Sequence, residues 1–142
     1  AFLDMVENHK MVVENSGLLT VAALKHLNVK DKRVVSILSG GNMDVITMSS
    51  VVQQGLIFRD RIFTVSVLLP DKPGELCRVS GVIAKESGNV IKLEHNQFVS
   101  TNRSVAVELR ITLEAFGTDH KHQIMEALER EGYQPKLVRT QI

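Results

Sequence analysis

Hydrophobic and polar residues alternate in several stretches of the second half of the chain, a period of two that predicts β-strands. Between these stretches apolar residues recur every three or four positions, which predicts helices. The predicted elements are, in chain order, a strand at residues 63–69, a helix at 74–86, strands at 90–99 and 104–112, a helix from 117 to about 131, and a strand at 133–140. The order βαββαβ predicts a ferredoxin-like α+β sandwich, with two helices on one face of a four-stranded antiparallel sheet.

The inward positions of these elements predict the core of this sandwich. On the strand at 90–99, Ile91, Leu93, His95 and Gln97 alternate with Lys92, Glu94, Asn96 and Phe98, which point outward. In chain order, the inward positions are Phe63, Val65, Val67, Leu69, Leu76, Val79, Val82, Ile83, Ile91, Leu93, His95, Gln97, Val105, Val107, Leu109, Ile111, Ile124, Met125, Ala127 and Leu128. Cys77 lies in a helical pattern, so we expect a small buried side chain rather than a nucleophile.

Residues that favour turns or helix ends separate the predicted elements. Ser87-Gly88-Asn89 and Gly132 are suited to end the two helices, and Asn102 in the stretch 100–103 suits a hairpin. Pro135 cannot donate a backbone hydrogen bond, so the last strand should lie at a sheet edge.

The first half of the chain has a different pattern. A helix is predicted from about residue 14 to 27, and a second one from 43 to about 54, with Gly55 as its stop before a short linker at 54–61. Between them, residues 33–38 are almost continuously apolar, which is typical of a strand buried on both faces of a parallel sheet. Such a strand needs neighbours that this segment does not encode. Missing upstream sequence or another copy could supply them, or the segment could be poorly ordered alone.

Composition narrows the classes of function. The 142 residues carry a formal net charge of +1, which argues against a nucleic-acid or membrane-surface partner. The third predicted strand also lacks the aromatic residues with which RNA-recognition domains stack bases. The single cysteine excludes an internal disulfide framework and fits a reducing compartment, so we expect a cytoplasmic protein.

The start of the chain and its histidines add little chemistry. Ala1-Phe-Leu-Asp-Met resembles no signal peptide and lacks an initiator methionine, so we expect a piece of a longer protein or a trimmed one.

His120 and His122 point to different faces of a helix, and His95 is interpreted as a packing residue, so we expect no metal site.

The turn after the first predicted strand is the clearest candidate site. Asp71 suits an N-cap or the turn before one, Pro73 suits the first turn of a helix, and Gly74 lets a ligand or a second backbone come close. The unpaired N–H groups of a helix start suit a carboxylate. An ordinary β–α turn is the alternative at this point.

With this turn and the βαββαβ order, residues 62–140 resemble an ACT domain. The resemblance implies an amino-acid effector held between the turn of one copy and a strand of its partner, in a homodimer or higher homo-oligomer. The residues implied in effector binding are Asp71, Lys72, Pro73, Gly74, Glu75 and Leu76 of the turn, and Asn89, Val90 and Ile91 at the start of the second strand.

Two motifs of the first half resemble fold-type II pyridoxal phosphate enzymes. One runs from Val34 to Asp44 around Ser39-Gly40-Gly41-Asn42, and the other is Val13-Glu14-Asn15-Ser16-Gly17. Together with a single ACT domain, they are similar to the threonine dehydratase (threonine ammonia-lyase) family. The resemblance implies that the Ser39 hydroxyl faces the pyridine nitrogen of the cofactor, that Gly40 and Gly41 let the backbone pass close to the ring, and that Glu14 lies near the cofactor.

The same resemblance divides the chain into residues 1–59, the end of a catalytic domain, and 60–142, an ACT domain. The family's Schiff-base lysine and phosphate-binding glycine loop lie in a missing N-terminal catalytic region. We therefore expect pyridoxal phosphate in the full-length parent, which would convert threonine or serine to 2-oxobutanoate or pyruvate and ammonia, but neither tight cofactor binding nor catalysis by this chain alone. The alternative is a stand-alone amino-acid-binding or dimerisation module without a catalytic role.

Overall fold

The computed structural model describes residues 1–96 and 107–141. By contacts, the chain divides into two compact units, Ala1–Gly55 and Leu56–Ile142. The predicted hairpin turn at residues 100–103 and the strand positions Gln97, Phe98 and Val105 lie outside the described residues. No helix in the described part is long and apolar enough to cross a membrane.

The first unit is built mostly from short helical segments. They are α1 (Phe2–Asp4), a π-helical turn (Met5–His9), a 3₁₀ turn (Ser16–Leu18), α2 (Leu19–Ala23), a second 3₁₀ turn (Leu24–His26) and α3 (Val45–Phe58), which runs on into the second unit. The predicted helix at 14–27 is therefore present, broken into three pieces. A small core of Phe2, Met5, Val13 and Leu18 holds the unit together.

The prediction of a buried strand at residues 33–38 is wrong for this chain. No residue of this stretch is in a strand, and Val35 and Ile37 are 90% and 76% exposed. A strand is stable only when neighbouring strands take up its backbone hydrogen bonds, and the four described strands all lie in the second unit. Val34, Val35 and Ile37 are therefore exposed to solvent, while Leu38 packs partly buried against the core of the first unit.

Gly55 does not end the second predicted helix, and the predicted linker at 54–61 is largely helical. Gly55 lies inside α3, where a Cβ would come within 2.6 Å of Leu3 Cδ1. The helix ends at Phe58, and Asp60 follows with a φ of 55°. Arg61 N–H donates to Leu56 O and Asp60 N–H donates to Ile57 O, a Schellman motif built on aspartate instead of glycine.

The second unit has the predicted βαββαβ order. Its elements are β1 (Ile62–Leu69), α4 (Glu75–Lys85), β2 (Asn89–Asn96), β3 (Val107–Glu114), α5 (Thr118–Arg130) and β4 (Lys136–Val138). The strands form one antiparallel sheet in the order β2-β3-β1-β4. The ferredoxin-like fold is thus confirmed, and the last strand lies at an edge, as Pro135 indicates.

The core of the second unit lies between the sheet and its two helices. Val65, Val67, Leu109 and Ile111 are completely buried, and they pack with Val79, Val82 and Ile83 of α4 and with Ile124, Ala127 and Leu128 of α5. Since both helices contact the same set of strand positions, the other face of the sheet carries Thr64, Ser66, Glu108, Arg110 and Thr112. We call this the polar face.

Two core predictions in α4 are wrong. Cys77 is exposed, because it lies two residues before the buried Val79 and so about 200° around the helix from it. Leu76 is on the core side but in the open first turn, where 41% of it stays exposed.

The core positions predicted on β2 are also exposed. Leu93 is 38% exposed, and Ile91 and His95 are exposed as well. β2 is an edge strand, so it has a neighbouring strand on one side only.

Asp60 connects the end of α3 to the start of α5. Its carboxylate accepts hydrogen bonds from Lys121 Nζ at 2.7 Å and Thr118 Oγ1 at 2.9 Å. The Lys121 hydrogen bond lowers the pKa of the Asp60 carboxyl, while desolvation acts in the opposite direction. A carboxyl whose pKa is lower in the folded state stabilises the fold when it is ionised.

Asp60→Asn tests this link, since asparagine tolerates the left-handed backbone. We expect Tm at pH 7 to fall by roughly 2–5 °C. The stabilisation is present above the unfolded-state pKa of about 3.9 and is lost as the pH falls through the lower folded pKa. The difference in Tm between the variant and the wild type should therefore close as the pH falls below that unfolded-state value. Thermal unfolding from pH 7 to 2 measures it, with Glu129→Gln on the exposed side of α5 as the control. A gap that stays constant over this range would contradict the assignment.

Substitution by alanine should stabilise the fold at Gly81, inside α4, and destabilise it at Gly88, which follows α4. Gly81 is inside α4 with nothing within 4 Å of a Cβ, so Gly81→Ala should raise the free energy of unfolding by about 0.5–1 kcal/mol through helix propensity. At Gly88 a Cβ would lie 2.8 Å from Ile83 Cγ2 and 3.0 Å from Ile124 Cδ1, so Gly88→Ala should cost about 1–3 kcal/mol. Urea unfolding checks both, and equal effects of the two variants would show that the packing at Gly88 is loose.

Candidate functional site

The turn between β1 and α4 is open and exposed. Lys72 N–H donates to Pro70 O at 2.8 Å, and Gly74 then turns the chain into the helix with a φ of 92°. Nothing lies within 4 Å of a Cβ at Gly74, and Asp71, Lys72 and Pro73 are all exposed. The bend is therefore not filled by its own side chains.

The start of α4 has no side-chain cap, and Asp71 lies in the turn before the helix, which is one of the two places predicted for it. The N-cap is Gly74, and no side chain bonds to the first turn there. The chain needs a left-handed residue at this position, which glycine adopts without strain. Asp71 lies three residues before the cap. Glu75 N–H donates to Lys72 O at 3.4 Å. The N–H groups of Leu76 and Cys77, which no intrahelical carbonyl can reach, are left for a ligand or water.

Glu75, one of the predicted effector residues, is engaged by the fold. Its carboxylate accepts a hydrogen bond from Tyr133 Oη at 3.2 Å and pairs with Arg78 at 3.4 Å. Burial, followed by the nearby Glu75 charge, raises the pKa of the Tyr133 phenol. Glu75 therefore links the first turn of α4 to Tyr133, which lies three residues after the end of α5.

The other predicted effector residues lie at the opposite end of the sheet. Asn89 pairs with Glu114, which in turn pairs with Ile62 at the start of β1, whereas the turn follows Leu69 at its end. Seven residue steps along β1 separate these ends by roughly 24 Å. Asn89 Nδ2 donates to Glu114 Oε2 at 3.2 Å. One chain therefore does not bring the two halves of the predicted site together.

The two motifs of the first unit meet. Glu14 N–H donates to Gly40 O at 3.4 Å, and Ser16 Oγ donates to Glu14 Oε1 at 2.5 Å. A Cβ at Gly17 would collide with the Ser39 carbonyl, and one at Gly40, where φ is 82°, would collide with the Glu14 side chain. The two glycines thus allow the motifs to touch, whereas a Cβ at Gly41 would meet open space.

Ser39 has a chemistry that fits the cofactor implied by the sequence. The residue is exposed, and within the described residues its hydroxyl makes no hydrogen bond. A neutral hydroxyl can donate to an unprotonated pyridine nitrogen. The open space beside Gly41 also leaves room for a flat ring.

Asp44 has a capping role that the sequence reasoning missed. Its Oδ1 accepts from Thr47 N–H at 2.9 Å, and its Oδ2 accepts from the Thr47 hydroxyl. The Thr47 side chain is the largest cause that lowers the pKa of Asp44. An aspartate three residues before a threonine, at the start of a helical pattern, is the signal that could have found this cap.

The two histidines of α5 do not form a pair. His120 is buried, where its Nδ1 accepts from Phe116 N–H at 3.0 Å and its Nε2 lies 2.6 Å from Glu86 O, while His122 is exposed. No group of three His, Cys, Asp or Glu side chains in residues 1–96 and 107–141 is arranged to hold a metal ion.

Comparison with curated proteins identifies relatives of the chain. It is 31% identical to the L-threonine ammonia-lyase of Thermotoga maritima over 139 residues, 97% of this chain and 35% of that protein. It is 34% identical to the L-threonine ammonia-lyase of Geobacter sulfurreducens over 135 residues, 94% of this chain and 34% of that protein. The chain thus spans about a third of the length of these relatives.

The fold class and the relatives agree. The second unit is a ferredoxin-like βαββαβ domain that follows a helical segment, and nearly the whole chain aligns with one part of larger enzymes. More particularly, the chain is related to part of the L-threonine ammonia-lyases, and the resemblance predicted from its motifs is confirmed.

Family models and solved structures do not narrow the assignment of the chain further. No family model matches the chain. The ACT domain of prephenate dehydrogenase from Bacillus anthracis superposes with a TM-score of 0.40 and 23% identity, over 51% of this chain and 99% of that one.

Alanine at Gly17 or Gly40 should destabilise the first unit. The new methyl group would press on the Ser39 backbone or on Glu14, and we expect a loss of about 1–3 kcal/mol in the unfolding free energy. Gly41→Ala is the matched control and should be neutral. Hydrogen exchange of first-unit amides measures the effect, and unchanged protection in Gly17→Ala would show that the two motifs are not in contact.

Proposed function

We propose that this chain is the regulatory end of a threonine ammonia-lyase, and that its ACT domain binds an amino acid between two copies. The observation that carries the proposal is the open bend at Gly74, beside an uncapped helix start. Backbone N–H groups and the helix dipole at that point suit the carboxylate of an amino acid.

The geometry of the sheet supports a site shared by two copies. Asn89, Val90 and Ile91 lie at the far end of the sheet from the turn of their own chain. The turn of one copy would therefore meet the β2 strand of another. Each pair of copies would form two equivalent sites if the arrangement has two-fold symmetry.

The edge strand β2 offers the surface for this pairing. Val90, Ile91 and Leu93 are 38%, 45% and 38% exposed, and Leu76 in α4 is 41% exposed. An edge strand with unpaired backbone groups and apolar side chains is a template for a second strand. We infer that ACT domains pair through β2, in a homodimer or a higher homo-oligomer.

The first unit would complete a catalytic domain encoded upstream. Val35, Ile37, Val45 and Ile46 are all more than 75% exposed, and about two thirds of the relatives' length has no counterpart in this chain. The missing part would supply strands and helices to cover this surface. We keep the proposed division into residues 1–59, the end of the catalytic domain, and 60–142, the ACT domain.

Ser39 is the residue of this chain that we assign to pyridoxal phosphate in the full-length enzyme. The cofactor supplies an electron sink for elimination from threonine or serine. The Ser39 hydroxyl would orient the ring through its nitrogen, Gly40 and Gly41 would leave room for it, and Glu14 would hold the Gly40 backbone in place. The product would be a 2-oxo acid and ammonia, in the cytoplasm.

Screening the twenty amino acids by thermal unfolding of the full chain tests the effector site. An amino acid that binds should raise Tm by roughly 5–10 °C at a hundredfold excess over its Kd. Gly74→Val should abolish this rise, because the side chain fills the bend and opposes a φ of 92°.

Gly132→Val is the matched control, since Gly132 has a φ of 88° and open space but follows α5. This variant carries similar backbone strain and should keep the response to the amino acid. If no amino acid raises Tm, or if both variants lose the response together, the effector site at Gly74 is wrong.

A further inference from the structure

A groove crosses the polar face of the sheet, away from the turn at Gly74. It has a volume of about 270 Å³ and touches all four strands or the residues that follow them. Its polar lining consists mainly of Thr64, Lys92, Glu94, Arg110, Thr112 and Arg139. None of these side chains belongs to the proposed effector site or to the proposed cofactor site.

The strand register places the groove side chains in two adjacent rows. Lys92 pairs with Thr112, which pairs with Thr64, so these three residues form one row across β2, β3 and β1. Glu94 pairs with Arg110 in the next row. These five side chains therefore project from paired strands, whereas Arg139 directly follows the end of β4.

At the floor of the groove, one hydroxyl hydrogen has no acceptor among the described residues. Thr64 and Thr112 are only 7% and 5% exposed, and their hydroxyl oxygens are 3.0 Å apart. Each hydroxyl has one hydrogen to donate, and the bond between them uses only one. Within the described residues the second hydrogen has no further partner, so it is available to an acceptor in the groove.

The charges around this floor are mostly positive. Lys92 pairs with Glu94 at 2.8 Å, and Arg110 uses its Nε on Glu108 at 3.1 Å beside the groove. The terminal amino groups of Arg110 make no hydrogen bond to the described residues, although Arg110 also interacts electrostatically with Glu94. Arg139 has no hydrogen bond or ion pair in the described part of the chain. Two guanidinium groups therefore keep donors for a ligand.

We infer that this groove binds a small oxyanion, a phosphate or a carboxylate, between Arg110, Arg139 and the Thr64–Thr112 hydroxyl pair. Guanidinium groups match both anions in shape and charge. The volume suits a small molecule rather than a peptide or a nucleic acid.

Titration calorimetry of the full chain tests the site, with inorganic phosphate and succinate as probes at constant ionic strength. Saturable binding of phosphate, succinate or both supports the site, and the stronger probe identifies the class of anion. Arg139→Gln should raise Kd about tenfold, the effect of one lost charge-assisted hydrogen bond. Thr112→Val should also weaken binding, although it leaves the net charge unchanged.

Arg130→Gln is the matched control, because it removes one exposed positive charge on α5, where Arg130 pairs with Glu86 at 3.6 Å. Its Kd should stay within about twofold of the wild type, since screened surface charges act weakly at a distance. The proposal is wrong if neither anion binds saturably, or if Arg130→Gln weakens binding as much as Arg139→Gln. It is also wrong if Arg139→Gln changes only self-association in sedimentation, which would make the groove a contact between copies.

Gly74→Val separates this site from the effector site. The groove lies on the polar face and does not include the turn, so this variant should bind the anion as the wild type does. Loss of anion binding in Gly74→Val would overturn the assignment to the groove.

Discussion

The antiparallel pairing of β1 with β3 is the constraint on which the second unit depends. All eight residues of β1 pair with β3, and the helix-facing side chains Val65, Val67, Leu109 and Ile111 have no exposed surface. Both helices pack on these central strands. The same register fixes the polar face behind them. Together with the pairing of β2 with β3, it sets the rows of the anion groove and the distance between the two halves of the proposed effector site.

The three helices α3, α4 and α5 end in the same way. A residue with positive φ follows each of them, Asp60 after α3, Ser87 after α4 and Gly132 after α5, and backbone N–H groups return to the last turn. This stops each helix where a strand or the next turn must begin. Only one of the three residues is glycine, so the local backbone tolerates the left-handed conformation where the closing hydrogen bonds stabilise it.

Both units expose apolar surface at the places where the proposed function needs a neighbour. In the first unit, Val35 and Ile37 belong to a stretch that would be a central strand in a larger sheet. In the second, β2 carries apolar residues on a free edge. In the proposed enzyme, a further part of the same polypeptide would cover the apolar surface of the first unit. A second copy would cover β2, because only a second chain can bring a turn to the far end of the sheet.

The sequence by itself determined the ferredoxin-like order and the buried face of β1 and β3, because hydrophobic periodicity acts locally. Tertiary structure decided what depends on neighbours. Residues 33–38 have the composition of a strand but no strand to pair with among the described residues, Gly55 packs against Leu3 instead of ending a helix, and Gly74 rather than Asp71 takes the N-cap position. The groove on the polar face also escaped prediction, since its threonines and arginines come together only through the register of separate strands.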